Sequence, residues 1–184
     1  MPYEPPPELA ALSLAEVAAL VAERKLPPVE QWSPTQSGDS LMRIAADGRW
    51  FHDANEYGDG EIKRSAMVRA FASLLWRDAG GQHWLVTPQQ KLSIAVEDAA
   101  FIATDVVRQG EALTFRLNTD EFVIAGPDHP LRAAGDADTP ALYLAVRNGA
   151  EARLNRSTYL QLVELADAAL NVSSQGADFA LVPG

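Results

Sequence analysis

Three histidines, His52, His83 and His129, are the side chains best suited to hold a metal or move a proton near neutral pH. They fall on separate predicted elements with no H-x-x-x-H or histidine–carboxylate spacing, so no metal set is assigned. No G-x-S-x-G or S-x-x-K motif supplies a serine nucleophile. Gly58-Asp59-Gly60 lacks a following G-K-[ST], and Glu56, Asp59 and Glu61 would repel a phosphate. The same loop lacks the ordered D-x-[DN]-x-[DN]-G pattern of a calcium site, so it reads as solvated. The best polar cluster is Thr87-Pro88-Gln89-Gln90-Lys91 followed by Glu97-Asp98: a hydroxyl, a cation and two acids in a short run. Strand alternation puts Lys91, Ser93, Ala95 and Glu97 on one face, where Lys91 could meet a ligand anion or pair with an acid. Trp50, His52, Thr87, Lys91 and Asp98 are therefore the candidate ligand-binding residues. No catalytic residue, metal or cofactor is assigned.

Composition narrows the class of partner. The 184 residues carry 25 acids against 15 Lys+Arg, a formal charge of −10, and no basic run. Nucleic acid and anionic membrane surfaces are poor partners for such a chain, because neutralising phosphates needs clustered Lys/Arg. With no cysteine there is no disulfide scaffold, zinc-thiolate site or cysteine nucleophile. Trp32, Trp50, Trp76 and Trp84 have few basic neighbours, so packing is their expected role, with Trp76 also able to anchor a contact. The acidic, proline-rich start lacks the basic residues of a signal peptide, and Leu9 to Ala22 is too short to span a bilayer. A cytoplasmic, bacterial protein is the expectation.

The elements follow from periodicity. Ser13-Leu14-Ala15-Glu16 has the form of a capping box, predicting a helix to about Lys25 that Pro27-Pro28 ends. Residues 28–38 read as an extended connector anchored by Trp32. Leu41 to Ala45 and Arg49 to His52 flank Asp47-Gly48, a hairpin signal. Apolar spacing predicts a helix over 62–77, then strands over 82–87, 92–97, 101–107, 113–117, 122–125, 141–146 and 150–154. Asn148-Gly149 marks a second hairpin, with Arg147 and Glu151 as an expected cross-strand pair, and a helix is expected over 156–170. Loops are expected at 126–130 and 135–140, and the tail offers an edge strand at 179–182.

Superposing Asp47-Gly48 on Asn148-Gly149 makes the strand, hairpin, strand, helix order recur, and both helices begin Arg-Ser (Arg64-Ser65, Arg156-Ser157). The expected fold is thus α+β: an N-terminal helical arm (1–37), a first ββα-containing subdomain (38–90), and a strand-rich, mostly antiparallel subdomain with the second ββα unit (91–184).

The runs GDSLMRIAADGRWFH, KRSAMVRAFASLL, WLVTPQQKLSIAVEDAAFIA, NTDEFVIAGPDHPLR and LYLAVRNGAEARLNRSTYLQLVELA, in order from Gly38 to Ala166, resemble the uncharacterised bacterial family called domain of unknown function twelve eighty-five. That resemblance implies a two-subdomain α+β fold with a C-terminal half loosely like pleckstrin-homology barrels, no known enzymatic activity, and ligand or partner binding in signalling. The expected function is a non-catalytic binding module, with its site in a cleft between the subdomains and a small molecule or protein segment as partner. An enzyme using His52 or His129 with a carboxylate, and a self-associating scaffold, are the alternatives.

Overall fold

Strands dominate because β-branched and aromatic residues alternate with polar ones between glycine-, asparagine- and aspartate-bearing turns. The computed structural model describes residues 12–23, 29–53 and 60–184; the start of the arm, the Pro27-Pro28 stop and most of the acidic loop lie outside them. The chain divides into two compact units, Met1–Glu97 and Asp98–Gly184. Residues 91–97, expected to open the second subdomain, thus lie with the first.

In the first unit, helix α1 (Leu14–Ala22) starts at the expected capping box: Ser13 Oγ accepts from Glu16 N–H at 3.2 Å, and Glu16 Oε2 accepts from Ser13 N–H at 2.6 Å. A 3-10 turn (Val29–Gln31) follows, and the connector leads into β1 (Gln36–Ile44) with Trp32 buried as expected. Then come β2 (Trp50–His52), α2 (Ser65–Ala72), β3 (Leu75–Arg77), β4 (His83–Val86) and β5 (Gln90–Val96). The sheet order is β2-β1-β5-β4-β3, antiparallel except where β1 lies parallel to β5.

The helix expected over 62–77 is half that length. Ser73 Oγ donates back to the Ala70 carbonyl at the C-cap, and Leu75-Trp76-Arg77 pairs with Leu85-Trp84-His83. Leu74 and Leu75 suit a helix stripe or a strand equally well; the available partner strand decides. Core residues lie on one sheet face: Ile44, Trp50, Leu75, Leu85 and Ile94 are buried with Phe71 of α2. Trp50 and Phe71 stack, ring centroids 6.4 Å apart.

The second unit contains β6 (Phe101–Gln109), β7 (Ala112–Leu117), β8 (Phe122–Ile124), β9 (Leu131–Gly135), β10 (Pro140–Arg147), β11 (Ala150–Leu154), α3 (Arg156–Leu165), β12 (Asn171–Ser174) and β13 (Ala177–Ala180). Its main sheet runs β8-β7-β6-β11-β10-β9, with β6 parallel to β11, and β12-β13 forms a separate hairpin. α3 stops five residues short of expectation. Ala166 is extended, and Asp167 Oδ1 caps a turn by accepting from Ala169 and Asn171 N–H. The tail is a hairpin turned at Gln175-Gly176, both at positive φ, where an edge strand was expected.

The hairpin-plus-helix occurs twice in chain order, but the two pieces take different places in their sheets. In β1-β2 the strand before the turn joins the parallel pair of its sheet; in β10-β11 it is the strand after it. The turns differ too. Asn148 and Gly149 are both at positive φ (52° and 78°), as a type I′ turn requires. At Asp47-Gly48 only Gly48 is positive, and Ala45 C=O accepts from Gly48 N–H, a turn closed by a glycine bulge. Even Arg-Ser is out of phase, since Arg64 caps α2 whereas Arg156 is inside α3, capped by Asn155. What the two units do share is closure: the first strand of one antiparallel run lies parallel to the last strand of the next.

Gly135 closes the β9–β10 turn at φ +80°, and a Cβ there would lie 2.8 Å from the Thr139 carbonyl oxygen. Gly110, at φ +61°, has open space around it. Gly135→Ala should therefore destabilise by more than about 1 kcal/mol, and Gly110→Ala by less than Gly135→Ala. Urea unfolding of the two variants checks the order.

Candidate functional site

The pairing of β3, β4 and β5 decides which side chains leave the core. Leu75 opposes Leu85 and Leu85 opposes Leu92, all turned toward α2. Alternation then sends the intervening residues to the other face: Trp76 beside Trp84, Trp84 beside Ser93, and Val86 beside Lys91. The segment that follows the 3-10 turn brings Trp32 and Pro34 to this face. Together they enclose a cavity of about 200 Å³, lined chiefly by Trp32, Trp76, Asp78, Trp84, Val86 and Lys91.

The polar groups of the cavity are few and set. Lys91 Nζ lies 4.3 Å above the centroid of the Trp84 ring, within cation–π range. The edge of that indole is fixed by Asp78, whose Oδ2 accepts from Trp84 Nε1–H at 3.0 Å. Asp78 Oδ1 accepts from Gln82 N–H at 2.9 Å, so the carboxylate also closes the β3–β4 turn. These hydrogen bonds, that from Trp84 foremost, hold Asp78 below the ordinary aspartate range, and the Lys91 charge adds to the effect. Trp32 is 7% exposed, and its Nε1–H has no partner among the described residues.

The sequence candidates separate. Lys91 is in this cavity. Thr87, 4% exposed, builds the β4–β5 turn: its Oγ1 donates to the Gln90 carbonyl at 3.0 Å and accepts from Gln90 N–H at 3.1 Å. Trp50 is 1% exposed and belongs to the core on the opposite sheet face. His52 ends β2 half-buried, its backbone N–H donating to Gly60 at 2.9 Å. Asp98 belongs to the second unit, where it accepts from Tyr143 Oη at 2.7 Å and pairs with Arg153 at 2.6 Å. Tyr143 is in turn flanked by Arg132, centroid distance 4.5 Å, which forks onto Glu151 at 3.1 and 3.0 Å. Burial, then the bond to Asp98, raises the Tyr143 phenol above its ordinary range. Arg147 forms an ion pair with Glu121. His129 Nδ1 lies 3.0 Å from the Ala145 carbonyl, a contact that ties its loop to β10.

Trp32, Trp76, Asp78 and Trp84 were not among the sequence-predicted site residues. The signal was present in Trp76-Arg77-Asp78-Ala79-Gly80-Gly81-Gln82-His83-Trp84, where two tryptophans stand equally far from the Gly80 centre of a hairpin. A helix drawn through residue 77 hides that symmetry.

Among the described residues no helix is long and apolar enough to cross a membrane, and no group of three or more His, Asp or Glu could hold a metal. Residues 27–99 match the family model described as domain of unknown function (DUF1285), N-terminal domain, and 100–181 match that for the DUF1285 C-terminal domain. The chain is similar to a DUF1285 family protein of Silicibacter pomeroyi DSS-3, known from a crystal structure: 37% identity, 89% of this chain and 94% of that one covered, TM-score 0.73. A DUF1285 family protein from Shewanella baltica OS155 shares the fold at 23% identity, covering 68% and 91%, with a TM-score of 0.54. No curated protein matches the chain.

The low Asp78 pKa carries a sign. Its contribution to stability is fully present above the unfolded aspartate value and is lost as pH falls through the lower folded value. In an acid titration followed by tryptophan emission, Trp84 should hold its environment through the ordinary aspartate range and change only below it. Asp78→Asn should abolish that step.

Proposed function

Since the chain belongs to the DUF1285 family, whose members are of unknown function, its role must be read from its own side chains, and we propose that it is a non-catalytic binding module. A ligand or a partner side chain is held against Trp32, Trp76 and Trp84 in the first unit. The observation that carries this reading is the cavity: apolar indole walls around one cation and one carboxylate. That is the usual balance of a binding pocket, in which packing supplies the affinity and a few placed polar groups supply orientation. At about 200 Å³ it suits a fragment or one side chain more than a whole cofactor. Both Asp78 oxygens already accept hydrogen bonds, and Lys91 lies on the Trp84 face, so the charges are placed to orient an occupant. The two bacterial relatives support a bacterial setting.

Benzoate, tetramethylammonium and benzyl alcohol supply one anionic, one cationic and one neutral probe. At least one should raise the melting temperature and shift tryptophan emission; saturation at a hundredfold excess over Kd adds about 2.7 kcal/mol. Trp84→Ala should abolish the response, and Lys91→Ala should weaken or reorder the three probes. A response that survives in both variants places binding elsewhere and overturns the assignment.

A further inference from the structure

β8 is the last strand of the second unit's sheet, and among the described residues no strand pairs with its outer side. Leu117 N–H donates to Glu121 C=O at 2.8 Å and Ala125 N–H to Leu113 C=O at 3.0 Å. With Phe115 opposite Val123, those two bonds make Phe115–Val123 the hydrogen-bonded pair. The N–H and C=O groups of Phe122 and Ile124 therefore face the open side. Their side chains are exposed as well, Phe122 at 68% and Ile124 at 46%, and Val107 on the same face at 49%. Natural edges are blunted by shortness, charge, proline, a bulge or a cover, and β8, at three residues, has the first of these. Phe122-Val123-Ile124 has neither charge nor proline. The opposite edge, β9, carries Arg132 and has β13 packed against it.

We propose that β8 is a self-association edge, on which a second copy of this chain pairs antiparallel about a two-fold axis at Val123. The strand is its own complement. In that register Phe122 opposes Ile124 of the second copy and Ile124 opposes Phe122, each pair exchanging N–H to C=O bonds through the free groups. The row Val107–Thr114–Ile124 then continues onto the second copy's Phe122, with side chains on one face throughout. Charge selects this place too. In a chain of net charge −10, the acids bordering β8 are already matched: Asp120 pairs with Arg116 at 2.6 Å and Glu121 with Arg147. Two copies thus meet where the nearest acids each have an arginine partner. The edge lies wholly within the second unit and does not depend on the tryptophan cavity.

Sedimentation velocity over a concentration series tests it on the full chain. The wild type should show a monomer–dimer equilibrium that shifts toward dimer as salt screens the like net charges. Ile124→Pro removes an outward N–H and leaves the inward ladder intact, so it should give a monomer with an unchanged circular dichroism spectrum. Phe122→Lys, on the exposed face, should do the same and serves if the proline variant does not fold. In a chain with no cysteine, Val123→Cys should yield one disulfide-linked dimer on oxidation, because the axis sets residue 123 against itself. A wild type that stays monomeric at every concentration overturns the proposal, even if a foreign strand peptide binds it. So does a dimer that persists in Ile124→Pro and Phe122→Lys, or one that Val123→Cys does not cross-link.

Discussion

The register of β3, β4 and β5 is the constraint from which the candidate site follows. Burying Leu75, Leu85 and Ile94 against α2 leaves Trp76, Trp84 and Lys91 on the other face of the same three strands. A slip of one residue would exchange the two sets, sending indoles into a core shaped for leucine and lysine with them. The energy that fixes the core therefore also fixes the cavity. Asp78 reinforces the arrangement from the turn, because one carboxylate both closes the hairpin and anchors the Trp84 ring. The connector after the 3-10 turn completes the site by adding Trp32 and Pro34.

The second unit applies the same closure, a central parallel pair, to a different purpose. β6 and β11 join two antiparallel runs into six strands, and the polar face near β9 and β10 is filled by mutually satisfied charges. Asp98 bonds Tyr143 and Arg153, and Arg132 bonds Glu151 while lying over the Tyr143 ring. Partly exposed pairs of this kind contribute little stability each, and their network keeps Tyr143 in one orientation. Backbone groups of this unit's sheet are left open on the outer side of its last strand, β8.

Local chemistry was legible in the sequence wherever one residue type has one physical use. The capping box at Ser13, the type I′ turn at Asn148-Gly149 and the alternation of β10 and β11 follow from backbone sterics, which a sequence expresses directly. Reading failed where tertiary partners choose between equals. Leu75 to Arg77 continue a helix stripe, yet β4 makes them a strand, whereas Asp47-Gly48 forms the hairpin it signals, its turn closed by a bulge. β9 went unseen because Leu131 to Gly135 is short and bounded by loops. Site residues divide the same way. Strand alternation puts Lys91 on the face that carries the cavity, but Thr87 and Trp50 are polar or aromatic for the sake of a turn and a core. Trp32 and Trp76 meet only through the folded connector.

The four indole N–H groups of the chain give separate signals in a proton–nitrogen NMR spectrum, and they report most directly on whether the face opposite the core is a binding surface. On titration with a probe that binds, the resonances of Trp32, Trp76 and Trp84 should move together with one dissociation constant while that of Trp50 stays still. Movement of Trp50 with the other three unmoved would contradict the account.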